Sequence, residues 1–306
     1  MSSLLVLEQV LNGLQFGVML FLMAAGLTLV FGIMDLLNLA HGSLYMVGAY
    51  LAATVFQATG SFLLGLVAAL AGTALVGMAV EVLTLRTLYS RDHLDQVLVT
   101  FGLILFFNEL TKIVWGPQAL FLDVPGALSG TVEILPGAPY PAFRLTIIGV
   151  GIGVGAGLYF LIAKTRLGML IRASATHREI VGAMGINVGL LYTLVFGLGA
   201  MLAGLAGVMA GPIYAVEVGM GEDILILTFV VIVIGGIGSI RGALLGAVLV
   251  GLIDTLGRAF LPTILKLFTD AATADGAGAS LASMLIYILM ALVLAWRPRG
   301  LLPAHA

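Results

Sequence analysis

Nine stretches of this chain are apolar over lengths that match the thickness of a membrane. They run at roughly 10–33, 41–56, 61–83, 95–115, 144–163, 187–211, 224–240, 242–260 and 281–296. The count is eight or nine, because 224–260 is too long for one crossing and is interrupted by Gly235-Gly-Ile-Gly-Ser-Ile-Arg-Gly242. A helix crosses the ~30 Å hydrocarbon core with about 20 apolar residues. Inside lipid, only a segment that satisfies its own backbone hydrogen bonds survives. These runs predict an all-α, polytopic integral membrane bundle, a single transmembrane domain over residues 1–306 with some segments broken or re-entrant.

Composition points the same way. Of 306 residues, 61% are hydrophobic and 9% charged, whereas a soluble domain carries about 25% charged residues. So little charge could not cover a water-facing surface. The 41 glycines suit helices that pack backbone to backbone in a membrane. Small residues recur at four-residue spacing in Ala203, Gly207, Gly211 and in Ala243, Ala247, Gly251. The N-terminus has no basic leader region and contains Glu8, so the first apolar segment is expected to be retained as a membrane helix.

Several function classes drop out. With no cysteine there are no disulfides, thiolate metal sites or thiol nucleophiles. A net charge of −2 offers no field for nucleic acid. His41 lacks the second His, Cys or carboxylate cluster that a metal ligand needs, and no paired acid and base suggests an enzyme. The Val230–Gly242 run resembles a strand entering a dinucleotide turn, but its glycine spacing is wrong, and a helix break fits better. No Gly-x-x-x-x-Gly-Lys-[Ser/Thr] is present, so the chain has no phosphate loop and needs no cofactor of its own.

Charge orients the segments. Residues 84–94 hold Arg86 and Arg91, residues 164–186 hold Lys164, Arg166, Arg172 and Arg178, and Arg297 and Arg299 close the chain. The loop 116–143 is rich in Pro and Gly and poor in base. Cytoplasmic loops are enriched in Lys and Arg, which puts 84–94, 164–186 and the C-terminus inside and 116–143 outside. With Arg241, nine basic residues fall inside, against Lys112, Arg144, Arg258 and Lys266 outside. Glu217, Glu222 and Asp223 are expected in an outer loop. If all nine segments cross, the N-terminus is external.

Three constellations are candidates for function. Residues 164–186 alternate apolar and polar at helical spacing, with Ile180, Ala183 and Met184 on one face. That is the pattern of short helices able to dock on a soluble partner, although a plain topogenic loop would also be basic. Met34 to His41 reads as a loop or as the unwound middle of a broken helix. Asn38 and His41 there are either pathway groups, since polar residues in a membrane tend to mark pathways, or caps, with Asn38 as the N-cap. Gly42, Tyr45 and Met46 continue from them into a helix that could face a central cavity. Gly235, Gly236, Gly238, Ser239 and Gly242 form the third group, a helix break. Asp254 and Arg258 are spaced for an ordinary i,i+4 pair.

Gly26-Leu-Thr-Leu-Val-Phe-Gly32, Asn38-Leu-Ala-His-Gly42, Met46 and Gly48-Ala-Tyr50 resemble the LivH-type permease family of branched-chain amino-acid ABC importers. Arg172-Ala173, Gly185-Ile186 and Gly235-Gly-Ile-Gly-Ser-Ile240 with Gly242 resemble it in the same order, so the likeness covers almost the whole chain. It implies a bacterial inner-membrane importer with a second, LivM-like permease, two LivG/LivF-like ATP-binding subunits that hold ATP and Mg, and a periplasmic substrate-binding protein. It also implies that 164–186 is the element that docks on the ATPase, with Arg172, Ala173, Arg178, Glu179 and Gly185 in it. Gly185 matches the glycine of the coupling-loop consensus, while Glu179-Ile-Val replaces its acidic-Ala-Ala portion. The competing reading is an ion-gradient-driven secondary transporter, which also builds sites at broken helices but wants more ionisable groups in the membrane than this chain offers.

Overall fold

The computed structural model describes residues 3–304. The helices are α1 Ser3–Met34, α2 His41–Thr59, α3 Phe62–Leu83, α4 His93–Trp115, α5 Ala142–Lys164, α6 Arg166–Thr176, α7 Arg178–Ala183, α8 Val188–Ala210, α9 Met220–Gly235, α10 Ile240–Leu265 and α11 Ala271–Trp296. Each of the nine apolar segments becomes one long helix, and the basic stretch between α5 and α8 becomes the two short ones. Among the described residues, seven helices are long and apolar enough to cross a membrane; α2 and α9 are not among them. The 16 residues of α9 rise about 24 Å at 1.5 Å each, short of the hydrocarbon thickness.

Short polar residues set the helix starts by accepting from the otherwise unpaired N–H groups of the first turn. Ser61 accepts from the Leu64 N–H, Thr165 from Gly168, Asn187 from Leu190, Ser239 from Gly242 and Asp270 from Thr273. The segment between α4 and α5, read from sequence as a Pro/Gly-rich loop, holds an antiparallel hairpin of β1 Thr131–Leu135 and β2 Ala138–Pro141, turned at Gly137 with φ 81°.

The helices fall into two compact units. In the unit of residues 22–125 and 153–227, α2 is the centre. It packs on both α3 and α8, and every residue from His41 to Tyr50 is buried. Glycines let the backbones touch: a β-carbon on Gly65 would stand 2.8 Å from the Ala52 carbonyl oxygen, and one on Gly207 would run into that of Tyr45. The stripe of Ala203, Gly207 and Gly211 is therefore a packing surface.

The other unit holds residues 3–21, 126–152 and 228–304. Here α10 lies on α11, and the first half of α1 lies on α10. A β-carbon on Gly13 would meet Leu252 at 3.0 Å, and one on Gly17 would meet the Ala247 carbonyl at 2.7 Å. The Asn12 carboxamide oxygen accepts from the Tyr140 hydroxyl (3.0 Å) and from Arg144 (2.5 Å). Asp254 and Arg258 form their i,i+4 pair at 2.9 Å.

Candidate functional site

The connector between α1 and α2 is buried backbone without helix. Asp35, at φ 50°, ends α1, and Leu36 is fully buried. Backbone polar groups at membrane depth need partners inside the protein, and α4 supplies them. The Leu37 N–H donates to the Gln96 carboxamide oxygen (3.2 Å), and the Thr100 hydroxyl donates to the Leu37 carbonyl (3.4 Å). Gln96 also donates to the Leu88 and Arg91 carbonyls (3.3 and 3.4 Å). One side chain thus ties the break to the turn before α4.

The side chains of the break are not so provided for. Asn38 is 1% exposed and His41 0%. Yet both carboxamide atoms of Asn38 and both ring nitrogens of His41 lack a hydrogen-bond partner among the described residues, as does the Thr28 hydroxyl. Asn38 is not the cap of α2: Ala40 occupies that position, with no side-chain bond. The His41 ring approaches the Met23 backbone without normal hydrogen-bond geometry. Leaving buried polar groups unpaired costs about 1–3 kcal/mol each.

Next to this break, α2, α4 and α9 frame a pocket of ≈ 10 Å³. Gly42 and Met46 line it with Ser43, Asn108 and Glu222. Asn108 donates to Glu222 at 2.6 Å. Of the five residues expected along a pathway, Gly42 and Met46 reach this pocket, while Asn38, His41 and Tyr45 lie in the packed interior. Asn108 and Glu222 were not singled out from sequence as a pair; a lone Asn within the apolar run of α4 was the available signal. Glu222 and Asp223, expected in a loop, stand in the first turn of α9.

At one end of the same unit the two basic stretches meet. Thr165 caps α6, and Gly168 sits against the Leu161 and Ile162 carbonyls so closely that no β-carbon fits. Arg172 donates to the Ile162 carbonyl. Gly185 has φ 84°, a region where glycine is at no disadvantage. Ala173 is half-buried, and Glu179, Ile180 and Met184 are exposed. The Arg178 guanidinium lies 5.5 Å from the Tyr89 ring centroid and 5.0 Å from that of Tyr192, and the two rings meet edge to face at 5.6 Å.

Tyr89 donates to Glu81 at 2.6 Å. The Glu81 carboxylate, wholly buried in the last turn of α3, also accepts from Arg86 (3.0 and 3.2 Å) and Thr193 (2.7 Å). Burial, and then donation to Glu81, pushes the Tyr89 hydroxyl above its ordinary pKa. Sequence reading missed this cluster, because Glu81 resembles a boundary charge and Arg86 only a topogenic one. At the other end, the 116–125 and 211–219 segments pair through Leu120 and Val216.

In the second unit, Gly235 ends α9 and Ile240 begins α10, with Gly236 and Gly238 at positive φ (109° and 79°). Gly242 stands in the first turn of α10, directly against Gly235. Residues 297–304 fold back over this turn, and the Leu301 and Leu302 N–H groups donate to the Ile234 and Gly235 carbonyls at 2.9 Å.

Membrane-length helices around an inward-facing, polar helix break make a polytopic permease. The family model described as "Branched-chain amino acid transport system / permease component" matches residues 9–294, and the chain belongs to that family. It is 31% identical to the high-affinity branched-chain amino acid transport system permease protein BraD of Pseudomonas aeruginosa, over 97% of this chain and 95% of the relative. It is 30% identical to LivH of Escherichia coli K12, a permease of the same description, over 85% and 88%. A more distant relative, the ribose import permease protein RbsC of Escherichia coli K12, is 26% identical over 76% and 72%. No solved structure matches the chain.

Proposed function

We propose that this chain is one transmembrane subunit of an ABC importer in a bacterial inner membrane. It pairs with a second homologous permease and moves a small solute while partner subunits hold Mg and hydrolyse ATP. A periplasmic binding protein delivers the solute, and the C-terminus is cytoplasmic. The observation that carries this reading is the pair of buried, unpartnered side chains Asn38 and His41 at a helix break. Such groups persist where a second conformation or a passing solute supplies their partners.

The solute class follows from the relatives. Identity is higher to the branched-chain amino acid permeases than to the ribose permease, and a branched-chain amino acid or a related amide or organic acid is the proposed cargo. The helices α6 and α7, with Ile180 and Met184 outermost, form the face that meets the ATPase.

Purification from the native membrane tests the assignment. A second permease and ATP-binding subunits should co-purify, and ATP hydrolysis in proteoliposomes should rise when solute-loaded binding protein is added. Solute uptake by the isolated chain under a proton gradient alone would replace this reading with a secondary transporter. Calorimetry of the cognate binding protein with leucine, isoleucine and valine identifies the cargo.

A further inference from the structure

Glu81 is a carboxylate with no exposed surface, four hydrogen bonds and three different side chains attached to it. Arg86 reaches it from the turn after α3, Tyr89 from the same segment three residues on, and Thr193 from α8. A buried charge with this many partners fixes its neighbours, because losing any one partner leaves the charge undercompensated. The cluster therefore locks the ends of α3 and α8 together.

The same cluster carries a handle. Tyr89 presents its ring to Arg178, the first residue of α7, and Tyr192 presents a second ring from α8, one residue before Thr193. Cation–π contacts of this kind hold a guanidinium without a counter-charge. Arg178 is thereby attached to the Glu81 lock by one ring and one hydroxyl. Further along, α3 and α8 grip α2 at positions with no spare room: a β-carbon on Gly204 would collide with Thr73, and one on Gly48 with Gly204. Packed interiors of this sort shift as units rather than deform.

Resting on the ABC-importer reading above, we propose that Arg178, Tyr89 and Glu81 are positioning residues for energy coupling. They form the link through which displacement of α7 by an ATP-hydrolysing partner is delivered to α3 and α8, and so to α2. Glu81 holds the two helices as one body, and the Tyr89 hydroxyl joins the Arg178 platform to it.

The test uses the complete importer in proteoliposomes with its binding protein. It measures assembled complex, basal ATP hydrolysis and solute moved per ATP. Tyr89→Phe keeps the ring under Arg178 and removes only the hydroxyl; Thr193→Val removes only the other hydroxyl. Both should assemble and retain basal hydrolysis, while solute moved per ATP falls about tenfold, within the range of mutational effects on inter-site coupling. Arg178→Ala should show the same uncoupling, and Arg178→Lys should recover part of it. Combined, Tyr89→Phe and Arg178→Ala should cost no more than the worse of the two, since they break one link. Glu81→Gln is expected to lower the yield of complex, so Tyr89→Phe and Thr193→Val decide the matter. Wild-type transport per ATP in these two variants overturns the proposal, as does a loss of uptake that only tracks loss of assembled complex. A wild-type complex without solute-stimulated ATP hydrolysis would instead overturn the importer reading itself.

Discussion

Gly26 of α1 leaves the volume that the His41 imidazole fills. A β-carbon at position 26 would stand 2.9 Å from the His41 Nε2 and 2.6 Å from the Gly199 carbonyl oxygen. Gly26→Ala must push α8 or His41 away, and overpacking of this kind costs about 1–3 kcal/mol. Thermal unfolding in detergent should show a lower Tm. Gly102→Ala, in α4, meets nothing within 4 Å and should be neutral or gain up to about 1 kcal/mol from helix propensity.

Asn38 gives a sharper contrast between stability and transport. Its carboxamide has no hydrogen bond to lose, so Asn38→Leu, close in volume, should change stability by less than about 1 kcal/mol or raise it. Uptake should nonetheless fall at least tenfold, about 1.4 kcal/mol of lost interaction with the passing solute. A variant that transports normally would remove Asn38 from the pathway.

Gln96→Leu is expected to do the opposite. It strips the Leu37 N–H and the Leu88 carbonyl of their partner, a loss of about 1–3 kcal/mol. Hydrogen exchange should show faster opening of residues 35–40, with the α10–α11 pair unaffected.

Gly168 makes the elbow between α5 and α6. Its close approach to the Leu161 and Ile162 carbonyls leaves an alanine side chain no place in the present turn. Gly168→Ala should unseat α6, and limited trypsin digestion should then cut faster at Arg166 and Arg172 than in the wild type.

Much of this was legible in the chain of letters. Hydropathy located all nine long helices, because a run such as 61–83 has few alternatives to spanning lipid. The hairpin at Thr131–Pro141 was hidden, since prolines at 136, 139 and 141 suppress any strand signal while an edge hairpin still tolerates them. The Glu81 cluster was hidden for a different reason. Thr193 lies 112 positions from Glu81 in sequence, and no local periodicity reports a partner so remote. The unwound state of residues 35–40 was readable only as one of two options, and the α4 side chains that hold it, Gln96 accepting from Leu37 and Thr100 donating to it, look like ordinary residues near a helix start.

The enclosure of α2 has a consequence for how the molecule is made. This helix lacks the hydropathy of an independent span, and it is surrounded in the end by α3 and α8. The nascent chain delivers α2 to the membrane well before Val188 leaves the ribosome. Until then its buried face lies against acyl chains or the insertion machinery instead of against α8. Closure of α8 over α2 is therefore a late step of biogenesis, and any lesion that delays it presents quality-control proteases with a half-inserted polypeptide.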